Sequence, residues 1–170
     1  MNCYLKKIDN NLDILEYEMY QDIPKEETGS TNILFGLSFK EFKKKTKNFI
    51  KEETVINEDL ETTTNRYIFY VDKNPVGEIA IRTTLNDFWT NKGSQVFYKV
   101  RLSERKKGYG TKMLELALVE CKALGMNKVR INCDDNNIAS QKIIINNGGR
   151  IEIESYKTSI GTSSSYIIDL

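Results

Sequence analysis

VRLSERKKGYGTKMLELAL, residues 100–118, is the stretch on which the reading of this chain turns. Its first residues finish QVFYKVRL, 95–102, an alternating run of the kind that forms a half-buried strand. Its last residues open a run over 110–125 in which Met113, Leu114, Ala117, Leu118, Cys121 and Leu124 recur at helical spacing, with Gly125 placed to end the helix. Between them RKKGYGTK, 105–112, packs four basic side chains and two glycines into eight positions. A strand that passes through such a turn straight into an amphipathic helix is an anion cradle in outline. The first-turn N–H groups lack intrahelical acceptors, the helix dipole adds partial positive charge, and Arg105, Lys106 and Lys107 add mobile cations. Gly108 and Gly110 let a ligand approach the backbone without a Cβ in the way. The spacing is neither that of a Walker loop, GxxxxGK[ST], nor that of a dinucleotide fingerprint, which has a third glycine. A plain basic connecting turn remains the alternative.

Outward from this stretch, KVRINC at 128–133 alternates as a strand, and NIASQKIIINNGG at 137–149 reads as a short helix closed by Gly148. RIEIESY and SSSYIIDL follow as strands joined by a Gly/Ser turn. Upstream, RYIFYVD at 66–72 and VGEIAIR at 76–82 are strands flanking a turn at DKNP. In the second, Ile79 and Ile81 share one face while Glu78, Ala80 and Arg82 share the other. CYLKKI at 3–8 is an opening strand, and Leu12, Leu15 and Met19 place a helix over 11–21. Pro24 and ETGSTN break it. A second helix, 38–53, starts at Ser38 and turns Phe39, Phe42, Thr46, Phe49 and Ile50 to one face, its lysines to solvent. TTLNDFWTNKGS, 83–94, reads as a connecting loop. The expected fold class is α/β (α+β): one domain over residues 1–170, a mixed central sheet of about six to seven strands flanked by helices.

Charge and composition narrow the function. Lys and Arg total 25 against 24 acids, so net charge is +1 and a polyanion-coating role has little electrostatic basis. The basic run from Lys99 to Lys112 has only Tyr109 for stacking, which argues against a nucleic-acid partner. Apolar runs such as YIFYV are far too short to span a bilayer, so no membrane partner is expected. Histidine is absent, which removes Ser-His-Asp and Cys-His chemistry and most zinc sites, and no metal is expected. Cys3, Cys121 and Cys133 lack CxxC spacing and fit reduced packing thiols in a cytoplasmic protein. Residues 52–61 hold five acids and no base, a solvated linker or a loop that attracts a cation.

The opening stretch taken together with INCDDNNIASQKIIINNGG, 131–149, resembles the acyl-CoA-binding core of the GCN5-related N-acetyltransferase (GNAT) superfamily, specifically its bacterial predicted-acetyltransferase subgroup. The similarity is densest over 76–150; RYIFYVD, IRTTLND and SYIIDL also resemble the subgroup. The resemblance implies acetyl-CoA (coenzyme A) as cosubstrate and transfer of its acetyl group to a primary amine by direct attack on the thioester. It implies that Val100 and Leu102 offer main-chain groups to the pantetheine arm. The turn Arg105, Lys106, Lys107, Gly108, Tyr109, Gly110, Thr111 would hold the pyrophosphate. Asn137 matches the residue that touches the CoA arm, with an ordinary helix cap as its alternative, and Ser140 and Lys142 lie one turn on. The chain also departs from the pattern: Ile144 stands where many members have a proton-donating Tyr, Gly149 where an aromatic often follows, and Thr83 and Gln95 where subgroup relatives often show His. A CoA-binding sensor or interaction module that has lost catalysis is therefore the alternative function.

A protonated amine must lose a proton before it attacks. Glu78 is the first candidate base, against a Glu78–Arg82 surface pair. Asp87 is a second base or an ammonium anchor, against an Asn-Asp turn. Tyr98, in step with Val100 and Leu102, is a candidate donor near the thioester, against a packed aromatic. The acceptor amine is not identified by the sequence, and a homodimer is left open.

Overall fold

The computed structural model describes residues 1–27, 30–56, 61–159 and 161–170. In chain order the elements are β1 (Cys3–Lys7), α1 (Ile14–Gln21), β2 (Glu26–Glu27), β3 (Ser30–Thr31), α2 (Phe39–Lys51), β4 (Thr64–Val71), β5 (Asn74–Arg82) and α3 (Asp87–Asn91). There follow β6 (Val96–Val100), a 3-10 turn (Leu102–Glu104), α4 (Tyr109–Ala123), β7 (Lys128–Asp134), α5 (Ile138–Asn146), β8 (Arg150–Thr158) and β9 (Gly161–Asp169). One sheet has the order β1-β4-β5-β6, a second β7-β9-β8, and β2 and β3 form a small hairpin. All of these ladders are antiparallel.

Register decides what each face of the first sheet carries. Arg66 lies opposite Ala80 and Ala80 opposite Phe97; Ile68 lies opposite Glu78 and Glu78 opposite Lys99. These residues share one face, because directly paired residues project to the same side. On it Ile68 and Tyr70 pack with Met19 and Tyr20 of α1 and Phe42 and Phe49 of α2. The other face presents Tyr67, Phe69, Ile79, Ile81 and Val96 to Met113, Leu114 and Ala117 of α4, in a core continuous with β7 and β9. The helical stripe read from 110–125 is thus the core face of α4 from Met113 to Cys121, Leu124 being exposed at the C-cap, and Gly125, with φ of +83°, ends the helix.

Three local expectations are corrected. Leu15 is half exposed; the buried positions of α1 are Glu16, Met19 and Tyr20, because the helix begins only at Ile14 and its inward face is set by the packing of Tyr20 on Phe42. The expected loop at 83–94 contains α3, capped by Asn86, whose side chain accepts from Trp89 N–H at 3.1 Å. A five-residue helix is too short to show periodicity. The break after Pro24 contains the β2–β3 hairpin.

The two sheets meet at a seam. Gln95 N–H donates to the Arg130 carbonyl at 2.9 Å, and the Gln95 side-chain Oε1 accepts from Arg130 N–H at 2.9 Å. Asn132 N–H reaches Ser94 Oγ at 3.3 Å. Beyond these contacts no ladder joins β6 to β7 among the described residues, so both strands are sheet edges with a gap between them.

Candidate active site

The gap opens into a cleft of about 1130 Å³ that runs from the first turn of α4, past β6, to the face covered by α1 and α2. At the α4 end, the 3-10 turn after β6 is anchored from a distance by Asp22 at the end of α1. Its carboxylate accepts from Arg101 Nε at 2.8 Å, Ser103 N–H at 3.2 Å and Ser103 Oγ at 2.6 Å, and its carbonyl accepts from Leu102 N–H at 3.0 Å. Burial works to raise the Asp22 pKa, but the hydrogen bonds from Ser103 and Arg101 outweigh it and hold the carboxyl below its ordinary value.

The chain then doubles back through Lys106 and Gly108, both at positive φ (+63° and +81°), into α4. The first bond of the helix runs from Lys112 N–H to the Gly108 carbonyl at 3.2 Å, which leaves the preceding N–H groups without an intrahelical acceptor. Arg105 folds across the turn, donating from Nε to the Val100 carbonyl at 2.9 Å and pairing through Nη2 with Glu27 at 2.6 Å.

The two glycines prove to do different things. A Cβ on Gly108 would point into open space, so the demand there is for the left-handed backbone. A Cβ on Gly110 would lie 2.5 Å from Ile143 Cδ1, so Gly110 lets Ile143 of α5 pack closely on α4 as well as bordering the cleft.

Of the residues expected to face the cofactor, Val100, Arg105, Lys106, Gly108, Tyr109, Gly110, Thr111, Asn137, Ser140 and Lys142 line the cleft; Leu102 and Lys107 do not. Lys107 pairs with Glu104 at 2.8 Å, while Leu102 has its N–H on Asp22 and its carbonyl accepting from Arg105 N–H at 3.3 Å. Asn137 caps α5, accepting from Ser140 N–H at 3.1 Å, and borders the cleft as well. Tyr98 reaches across the gap to Ser140, hydroxyl to hydroxyl at 2.7 Å. Burial raises the Tyr98 pKa well above the ordinary phenol value, against the opposing pull of Ser140. Cys133 also lines the cleft, and burial raises its pKa too; Cys121, in the core, is pushed up to about 12 by burial. Both thiols stay protonated near neutrality.

At the far end Glu78 is buried and pairs with Arg66 Nη1 at 2.8 Å, not with Arg82. Arg66 Nε also pairs with Glu52 at 3.0 Å, and its guanidinium lies 4.1 Å from the Phe49 ring centroid and 5.3 Å from that of Phe97. Burial opposes its charge, but Glu78 and Glu52 outweigh that and raise the Arg66 pKa. Tyr20 is fully buried and its hydroxyl has no well-formed hydrogen bond among the described residues. It lies near enough to Glu78 that the carboxylate, after burial, helps keep it protonated. Arg82 is stacked by Trp89 at 4.0 Å and Phe97 at 4.9 Å and donates from Nη1 to the Ser94 carbonyl. Asp87 is exposed in the first turn of α3 and does not line the cleft.

Sequence reasoning missed the parts played by Tyr20, Asp22, Arg66 and Arg82. The only signal for the Arg66–Glu78 contact was strand register, which sets the two diagonally on one face across β4 and β5. Of the acidic run, Glu52 is paired with Arg66, Glu53 with Lys7 at 2.5 Å, and Glu61 accepts from Asn86 Nδ2 at 2.9 Å; 57–60 lie outside the described residues. No metal-holding cluster occurs among the described residues, and no described helix is long and apolar enough to cross a membrane.

Comparison with known proteins places this geometry. RimL, the ribosomal L7/L12 alpha-N-protein acetyltransferase in complex with coenzyme A, superposes with a TM-score of 0.74 at 14% identity, over 99% of this chain and 94% of that one. Mycobacterium smegmatis RimJ in complex with CoA-disulfide gives 0.69 at 14%, over 98% and 81%. The aminoglycoside acetyltransferase AAC(6')-Ib in complex with coenzyme A gives 0.66 at 12%, over 99% and 95%. No curated protein matches the sequence. At such identities the likeness is one of fold, a fold shared with acetyltransferases solved with coenzyme A or its disulfide bound. Residues 39–150 match the acetyltransferase (GNAT) domain, and the chain belongs to that family of acetyl-CoA-dependent acyltransferases.

Proposed function

We propose that the protein transfers the acetyl group of acetyl-CoA to a primary amine by direct attack on the thioester, with the cofactor-binding core over 76–150. The observation that supports this is a single cleft with a cationic helix mouth at one end and a buried carboxylate, Glu78, at the other. The N–H groups ahead of Lys112, with Arg105 and Lys106 beside them, suit a pyrophosphate. Lys107 adds long-range charge only, since it is turned to Glu104. Tyr109, Gly110 and Thr111 form the floor of the cradle, and Asn137, Ser140 and Lys142 flank it.

As an edge strand, β6 has backbone groups free of a strand partner beyond the seam. The Val100 carbonyl is taken by Arg105 Nε, so the Val100 N–H is the group that can hold a pantetheine carbonyl, and another β6 N–H can face the oxyanion. The main-chain N–H and C=O of Leu102 are already engaged, so its contribution is to shape the turn.

In the reaction the amine nitrogen bonds to the carbonyl carbon, the carbon–sulfur bond breaks, the amine loses one proton and the departing thiolate gains one. Glu78 takes the amine proton, directly or through water. Tyr98, held by Ser140 and firmly protonated, donates toward sulfur from the α5 side, in place of the Tyr replaced by Ile144. Asp87 is assigned no step. The buried thiols take no covalent part and suit a reducing cytoplasm.

Calorimetry with acetyl-CoA tests the reading. Binding in the micromolar range that weakens when Arg105 and Lys106 are both changed to Gln supports it, and the absence of heat and of a thermal shift refutes it. Amine-dependent release of CoA thiol separates a transferase from a binding-only sensor.

A further inference from the structure

The charges that line the cleft are unevenly matched. Glu27, Glu78 and Glu104 are paired with cations, Arg105 at 2.6 Å, Arg66 at 2.8 Å and Lys107 at 2.8 Å, while Asp134 has the Ser163 hydroxyl at 2.7 Å. Arg82 has no carboxylate partner among the described residues. Arg82 is also oriented: Trp89 and Phe97 hold its guanidinium plane, and Nη1 is fixed on Ser94. Nε is sealed without a partner, whereas Nη2 is not among the sealed atoms and makes no bond among the described residues.

We infer that the acceptor amine carries a carboxylate, and that Arg82 is the group that holds it. This rests on the proposed acetyl transfer. A guanidinium immobilised between rings with donors unfilled is organised for a carboxylate, which would also relieve the cost of a partly buried cation without a counter-ion. That cost is visible in Arg82 itself: burial, then repulsion from Arg66, push its pKa down to about 10, still far enough above neutrality to leave it charged. A polyamine or an aminoglycoside would meet a guanidinium without a counter-ion, with Asp134 alone among the described lining carboxylates lacking a cationic partner. Amino acids and peptides with a nearby carboxylate are the class that fits.

The test measures kcat/KM with acetyl-CoA for matched acceptors in which a carboxylate is exchanged for a carboxamide: glycine against glycinamide, β-alanine against its amide, and Ser-Asp-Ala amide against Ser-Asn-Ala amide, with spermidine as the polycation. The carboxylate member should lead by tenfold or more in at least one pair, with spermidine below it. Arg82→Gln should abolish that preference and Arg82→Lys should keep part of it, both with acetyl-CoA affinity within twofold of the parent. The inference is overturned if carboxamides equal or surpass carboxylates in every pair, if spermidine is preferred, if Arg82→Gln retains the preference, or if nothing in the panel turns over while acetyl-CoA binds. Failure of acetyl-CoA to bind refutes the transfer reading instead; binding of the two peptides to the unloaded protein then judges Arg82 by itself.

Discussion

Replacing Glu78 by Gln removes one charge at the acceptor end while keeping the shape of the side chain. Arg66 loses an ion pair but keeps Glu52 at 3.0 Å and its two aromatic neighbours, and Gln can still accept from Nη1. The stability loss should therefore stay near 2 kcal/mol, below that of breaking an isolated buried pair, or roughly 4–8 °C in melting temperature. The loss in rate has a ceiling set by the acceptor. An ε-amine with a pKa of about 10.4 needs about 4.6 kcal/mol to shed its proton at pH 7, whereas an α-amine near 8 needs only about 1.4. Loss of the base should thus cost up to about 10³ in kcat with the first kind of acceptor and about tenfold with the second. The assay is release of CoA thiol from pH 6 to 10, with acetyl-CoA affinity measured in parallel. The variant's rate should climb about tenfold per pH unit until the amine is free, and acetyl-CoA should bind as before. A variant that stays folded and turns over like the parent at every pH would refute the role of Glu78.

Gly108→Ala meets no neighbour within 4 Å but must adopt φ of +81°, so it should cost about 1 kcal/mol and roughly 2–4 °C, read by thermal melting. The same change should weaken acetyl-CoA binding if the turn holds the pyrophosphate. Tyr98→Phe removes the hydroxyl shared with Ser140 and should lower kcat by tenfold or more with little change in acetyl-CoA affinity, measured by steady-state kinetics and calorimetry. Because the Asp22 carboxyl is depressed below 3.8 in the folded chain, its stabilising effect is present above that value and is lost as pH falls through the lower folded value. Melting of the parent and of Asp22→Asn should accordingly differ at pH 7 and converge toward pH 3.

The strand–turn–helix of 95–125 was legible because three signals agreed there: alternation up to Leu102, glycines at the turn, and a helical stripe ending at Gly125. The polar end of the cleft was not. Arg66 and Glu78 are twelve residues apart and meet only through the β4–β5 register, and Tyr20 and Asp22 come from a helix whose inward face the apolar pattern misplaced at Leu15. Gly110 shows a related limit. A glycine in a cradle sequence invites a ligand explanation, and only the placement of Ile143 reveals that helix packing favours it too. The short α3, which brings Trp89 onto Arg82, offers too few residues for any period to register.

Gln95 occupies the position where a histidine was expected from the family resemblance. Its side chain accepts from Arg130 N–H at 2.9 Å and donates to the Trp89 carbonyl at 3.2 Å, so it acts as an extra peptide unit spliced into the junction of the two sheets. An imidazole in that joint would change protonation within the physiological range and loosen one of these bonds as it did so. An amide has no such transition. The two hydrogen bonds that Gln95 contributes to the junction are consequently indifferent to acidity around neutrality, where an imidazole in its place would titrate.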